Sequence, residues 1–134
     1  MDNPISDQNE DSIRKLFDSS VQSSISRLPQ ELRKHLNEIE LIIDDYPEPG
    51  LLNSRHGRTF PSTILGLYTG TSMPHRSIFN PMEWPGRIYL FRKNILKHCR
   101  TEKEMEEQIF LTLMHELGHA LGLDEGDLKA RGLG

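Results

Sequence analysis

Residues 101–122, TEKEMEEQIFLTLMHELGHALG, constrain this chain more than any other stretch, because nearly every position carries a helix signal. Thr101 stands where an N-cap belongs, and Glu104 follows three residues later in the pattern of a capping box. Glu102, Glu104, Glu106 and Glu107 place negative charge near the positive end of the helix dipole. Met105, Ile109, Leu113 or Phe110, Leu117 and Leu121 recur at helical spacing as a stripe to be buried. The pattern predicts a helix from Glu102 to Leu121, ended by Gly122.

The last two turns of that helix carry chemistry. His115 and His119 are four residues apart, so both imidazoles project from one face and can aim at a common point. Zinc needs nitrogen donors at about 2.0 to 2.1 Å, which such a pair can supply. Glu116 sits one position round the helix, beside the metal point and not on it. From there a carboxylate can take a proton from water activated by the metal, the arrangement of the H-E-x-x-H pattern. A third ligand requires the chain to turn back, and a glycine at the helix end supplies the turn. Asp124, Glu125 and Asp127 follow Gly122 at once, and each offers a carboxylate oxygen.

The rest of the chain divides into shorter elements. With 134 residues, 35% hydrophobic and 27% charged, the chain suits one domain with a modest core. The first dozen residues read as a solvated tail, followed by an amphipathic helix from Ser12 to Ile25 with Ile13, Leu16, Phe17, Val21 and Ile25 on one face. LPQELRKHLNEI offers a second short helix with Pro29 near its first turn. Strands are expected over Glu38 to Asp44, Thr63 to Gly70 and Gly86 to Ile95. The proline-rich segment between the last two reads as an irregular loop. Within the third strand, Arg87 to Arg92 alternates and is expected to form the sheet edge that pairs with an extended peptide.

A formal net charge of -4 argues against nucleic acid as a partner, since such binding needs clustered positive charge. No run of apolar residues is long enough for a membrane span, and the polar start MDNPISDQNEDS lacks the features of a secretory signal. Cys99 is the only cysteine, which fits a cytoplasmic protein without disulfides.

HELGHALGLDE resembles the extended pattern H-E-x-x-H-x-x-G-x-x-acid of the small bacterial zinc metallopeptidases known as minimal zincins. LPQELRKHLNEIELIIDDYP, ILGLYTG, RIYLFRKNI and the tail DEGDLKARGLG follow the order of blocks in that family. The resemblance implies an α+β zincin-like domain, a short mixed sheet packed on the motif helix with a peptide cleft between helix and edge strand. It divides the chain into an N-terminal extension over 1–25 and a metallopeptidase domain over 26–134. It implies Zn2+ as cofactor, a peptide or protein substrate, His115 and His119 as ligands, and Glu116 as the general base. An acid ten residues after the first histidine is the family's third ligand, which points to Glu125, with Asp124 next and Asp127 read as the N-cap of a final helix DLKARG. No third histidine follows Gly122, and the 15 residues after His119 leave no room for the methionine turn of larger relatives.

Two other classes compete with a peptidase. One is a non-catalytic domain that keeps the site to bind zinc or a peptide. The other is a metal-dependent endoribonuclease, whose related motif carries glycine and histidine where this chain has Glu116 and Glu125. His35, His56, His75 and His98 lack partners at metal spacing and read as surface or capping residues. Tyr68, His75, Arg76 and Tyr89 are candidates for stabilising an oxyanion opposite the metal. Trp84 reads as a loop anchor, and Cys99 beside His98 as a chance neighbour.

Overall fold

Asn9 starts the first helix by accepting a hydrogen bond from the Ser12 amide at 2.8 Å, satisfying one of the amides that have no partner inside a helix. This helix, α1 (Glu10–Arg27), leads into α2 (Gln30–Arg33), a 3-10 turn over Lys34–Glu38 and strand β1 (Ile39–Asp44). Strands β2 (Gly66–Thr69) and β3 (Gly86–Phe91) follow, then helices α3 (Arg92–Leu96), α4 (Glu102–Ala120) and α5 (Glu125–Ala130). The computed structural model describes residues 4–53, 59–70, 86–123 and 125–130, the side chains of Glu125, Leu128 and Lys129 standing outside that description. The loop expected between the second and third strands, with His75, Arg76 and Trp84, and likewise His56, lies outside the described residues.

The fold is α+β. Its sheet has the order β1-β3-β2, with β1 parallel and β2 antiparallel to the central strand. One face carries Ile39, Ile88 and Leu90 into a core shared with Phe17 and Val21 of α1 and with Met105, Ile109, Leu113 and Leu117 of α4. The other face buries Leu67, Tyr89 and Phe91 beneath Leu51, Phe60 and Ile64. The stripe expected on α4 is therefore the seam between the sheet and α1.

Four expectations are corrected. Arg87 to Arg92 is not the sheet edge, because β3 pairs on both sides. Its run Ile88, Tyr89, Leu90, Phe91 is buried throughout, which suits a central strand covered on both faces and not one facing solvent. The strand also stops at Phe91, and Arg92–Leu96 is helical. There Arg92 is buried and reaches Asp45 at 2.9 Å, while the Asn94 amide donates to the Ser62 and Ile64 carbonyls at 2.7 and 2.9 Å. Those bonds need the side-chain directions of a helical turn.

The expected solvated tail is largely exposed from residue 4 to Asp11 but is anchored at Ile5. The Ile5 amide donates to the Arg100 carbonyl at 3.0 Å, Pro4 bridges to Thr101, and the Ile5 side chain is buried. Finally, α5 begins at Glu125, so Asp127 is its third residue and not the N-cap. The amphipathic segment before Leu28 runs as α1 from Glu10 to Arg27, with Ser20 and Ser24 buried beside Phe17 and Val21. Small residues at those positions let α1 lie close to its neighbours.

Candidate functional site

Thr101 caps α4 by accepting the Glu104 amide at 3.1 Å, while the Glu104 carboxylate accepts the Arg100 amide at 2.8 Å. The reciprocal half of the box thus falls one residue upstream of the cap. At the other end Gly122 takes a φ of +88°, a conformation that disfavours any side chain. Its amide donates to the His119 carbonyl at 3.0 Å and the Leu123 amide to the Gly118 carbonyl at 3.0 Å. These two bonds form a Schellman turn, which folds residue 123 back over the last helical turn.

That turn acts on His119. Its Nδ1 lies 3.1 Å from the Leu123 carbonyl oxygen, which can only accept, so Nδ1 carries the proton and Nε2 keeps its lone pair. The His119 Nε2 lies 3.2 Å from the Nε2 of His115, with the rings nearly perpendicular at 81°. Two nitrogens bound tetrahedrally to one zinc at 2.0 to 2.1 Å stand about 3.3 Å apart. The described pair fits the ion in spacing and atom type, and the carbonyl contact suits the ligand tautomer of His119. Orientation of a ligand histidine by a backbone carbonyl is the usual outer contact of such sites.

Glu116 points another way. It is only 7% exposed and lies against β2, together with Thr112 one turn earlier. The Thr112 hydroxyl donates to the Gln108 carbonyl at 2.8 Å, which turns its methyl toward Gly66. Helix and strand meet there so closely that a Cβ built on Gly66 would stand 2.8 Å from the Thr112 methyl and 3.2 Å from Glu116 Cγ.

His115 and His119 come together, and Glu116 lies beside them on the same helix. Among the described residues no group of three or more metal-binding side chains forms. Asp124 and the Glu125 side chain lie outside the described residues, and Asp127 is exposed on α5. Tyr68 is partly buried on the sheet face toward α4. Tyr89 is not available to the site, since it belongs to the core on the opposite face. Its hydroxyl there, with the Glu40 charge, raises the pKa of Arg87. His98 is exposed, and His35 sits in the turn before β1. Cys99 bonds the Ile95 carbonyl at 3.2 Å, and burial, then the Glu104 charge, pushes its thiol up to about 11, the reverse of an activated nucleophile.

Sequence reasoning missed the Leu123 carbonyl and Gly66. A glycine three residues after a helical histidine signalled the first, because a Schellman turn brings the next carbonyl back within reach. The second has no local signal, since it depends on which strand lies against α4.

A family model described as zincin-like metallopeptidase matches residues 36–133, which span the sheet, α4 and α5. No curated protein matches the chain.

Proposed function

The chain belongs to the zincin-like metallopeptidase family, and on that premise we propose that it is a zinc-dependent peptidase in which His115 and His119 hold the metal, Glu125 completes the ligand set and Glu116 is the general base. The observation that carries this reading is the convergence of two Nε2 atoms at 3.2 Å with the outer nitrogen of His119 held by a carbonyl.

Zinc, when bound, supplies a Lewis acid that lowers the pKa of water to about 7 and polarises a carbonyl. The chain's own groups do the rest. Glu116, on the turn between the histidines, takes the proton of the attacking water on a carboxylate oxygen and passes it to the departing amine nitrogen. Its burial limits competing solvent. The peptide itself is assigned to β2, which replaces β3 as the strand beside the site. Phe91 donates its amide to the Leu65 carbonyl at 2.9 Å, so residues 65 and 91 form a hydrogen-bonded pair. With Gly66 opposite Leu90 and Tyr68 opposite Ile88, antiparallel alternation turns the amides and carbonyls of Gly66 and Tyr68 away from β3. Among the described residues no strand pairs with that outer edge, so it can take an extended peptide as an added strand.

Untagged protein tests the reading by metal analysis and by incubation with a denatured protein and with RNA. One zinc per chain is expected, lost in His115→Ala and His119→Ala, with peptide fragments from the protein and intact RNA. Glu116→Gln should keep zinc and lose most hydrolysis. Tight stoichiometric zinc in either histidine variant, or unchanged turnover in Glu116→Gln, rejects the assignment. Zinc without cleavage would indicate a binding domain, and cleaved RNA a nuclease.

A further inference from the structure

We propose that Gly66 is a positioning residue, whose missing side chain sets the direction of Glu116 relative to a peptide on β2; this rests on the peptidase reading above. Three observations meet at this residue. Its Cβ direction faces α4, where an added methyl carbon would stand 2.8 Å from the Thr112 methyl and 3.2 Å from Glu116 Cγ, and 2.9 Å from the Tyr89 carbonyl oxygen. Carbon atoms in ordinary contact stand about 3.5 to 4.0 Å apart, so the contact leaves no room for the methyl without movement. Its amide and carbonyl face the outer edge of the sheet, where substrate main chain would pair. The Glu116 it abuts is buried.

One residue therefore borders the base along its Cβ direction and offers the substrate its backbone. The spacing between base and scissile bond follows from that single contact. Thr112 holds the opposite side, since its hydroxyl bond to Gln108 fixes the methyl that meets Gly66. An alanine at position 66 keeps the amide and carbonyl, so peptide binding should survive. What it loses is the register between Glu116 and the bond to be cut. A purely structural glycine would weaken folding without separating kcat from KM.

The parent, Gly66→Ala, Thr112→Ser and the double variant are purified with zinc and read by crystal structure, zinc stoichiometry and turnover of a denatured protein. Gly66→Ala is expected to keep zinc, to turn Glu116 from its parent position, and to lose kcat by roughly ten- to a hundredfold with little change in KM. The double variant, which removes the nearest of the three atoms the new Cβ would meet, should regain part of both position and turnover. Glu116 in its parent position in folded Gly66→Ala overturns the inference whatever the turnover. If Gly66→Ala does not fold, Thr112→Ser decides: slack at the contact should let Glu116 move, and an unmoved carboxylate overturns the inference. A parent that cleaves no peptide rejects the peptidase reading, while the Glu116 position in the variant crystals still decides the role of Gly66.

Discussion

His119 is held at both ring nitrogens, one by Leu123 and one facing His115, so on the proposed zinc site the third ligand is the main question at the scale of the residue. Glu125 opens α5, and Asp127 lies two residues further on the exposed side. An acid at position 127 near a helix start is favoured by the dipole without any metal. Glu125→Ala is therefore expected to lose tight zinc, whereas Asp127→Ala keeps it and Asp124→Ala lies between. Competition of each variant with a chelator measures this, and parent-like affinity in Glu125→Ala rejects the choice. Cys99 gives a second residue-scale prediction. Its thiol pKa is raised from 9.0 to about 11 in the fold, so the folded state holds that proton more firmly than the unfolded chain. The stabilisation is complete below about pH 9 and is lost as pH rises towards 11. Between those values Tm of the parent should fall more steeply than that of Cys99→Ser. Parallel curves would show that the buried thiol is not the cause.

At the scale of the element, α4 joins stability to the site. Its start is capped by Thr101, its middle packs between sheet and α1, and its end is shaped by Gly122. Gly122→Ala places a side chain at a φ of +88°, which should cost about 1 kcal/mol of stability. The same strain loosens the Leu123 carbonyl from His119, so zinc affinity should fall together with Tm. Urea unfolding and a zinc titration on the same protein measure the two effects. Loss of stability with full zinc affinity would detach the turn from the site. The sheet supplies the other wall: β3 is clamped on both sides, whereas β2 is short and pairs with β3 alone among the described residues.

At the scale of the whole molecule, the family match begins at residue 36, yet the core does not. Phe17 and Val21 of α1 are buried against the same seam as Leu113 and Leu117, and Leu28 closes it. Salt bridges also tie α1 to the far end of the sheet, with Arg14 and Arg92 meeting Asp45 at 3.0 and 2.9 Å and Lys93 meeting Glu10 at 3.0 Å. The exposed pairs contribute little, but Arg92 is largely buried, and its loss would leave Asp45 to Arg14 and remove the buried member of the group. Phe17→Ala should cost about 3 to 5 kcal/mol, because the fully enclosed ring leaves a cavity between α1 and α4. Its folded fraction should still bind one zinc. Chemical unfolding with metal analysis tests this, and a cost below about 1 kcal/mol would mean that α1 packs loosely. No helix among the described residues is long and apolar enough to cross a membrane.

What the sequence determined by itself was local. The capping pattern and the apolar stripe located α4 within a residue, the histidine spacing placed both imidazoles on one face, and Gly122 marked the turn. These features follow from the helical period and from backbone sterics, which act over a few residues. The three strand segments were legible in the same way, with β1 nearly to the residue. Strand order was not. Arg87 to Arg92 has the alternation of an edge if Tyr89 faces solvent, yet Tyr89 and Phe91 are stacked at 6.0 Å under a second core. Alternation reports that a strand has two faces; whether one or both are covered depends on chain segments distant in sequence. For the same reason the burial of Ile5 on Arg100, the helical turn at Arg92 and the contact of Gly66 with Glu116 arise only when the elements assemble. Each is a meeting of residues far apart in the chain, decided by packing and by the need of buried polar groups for partners.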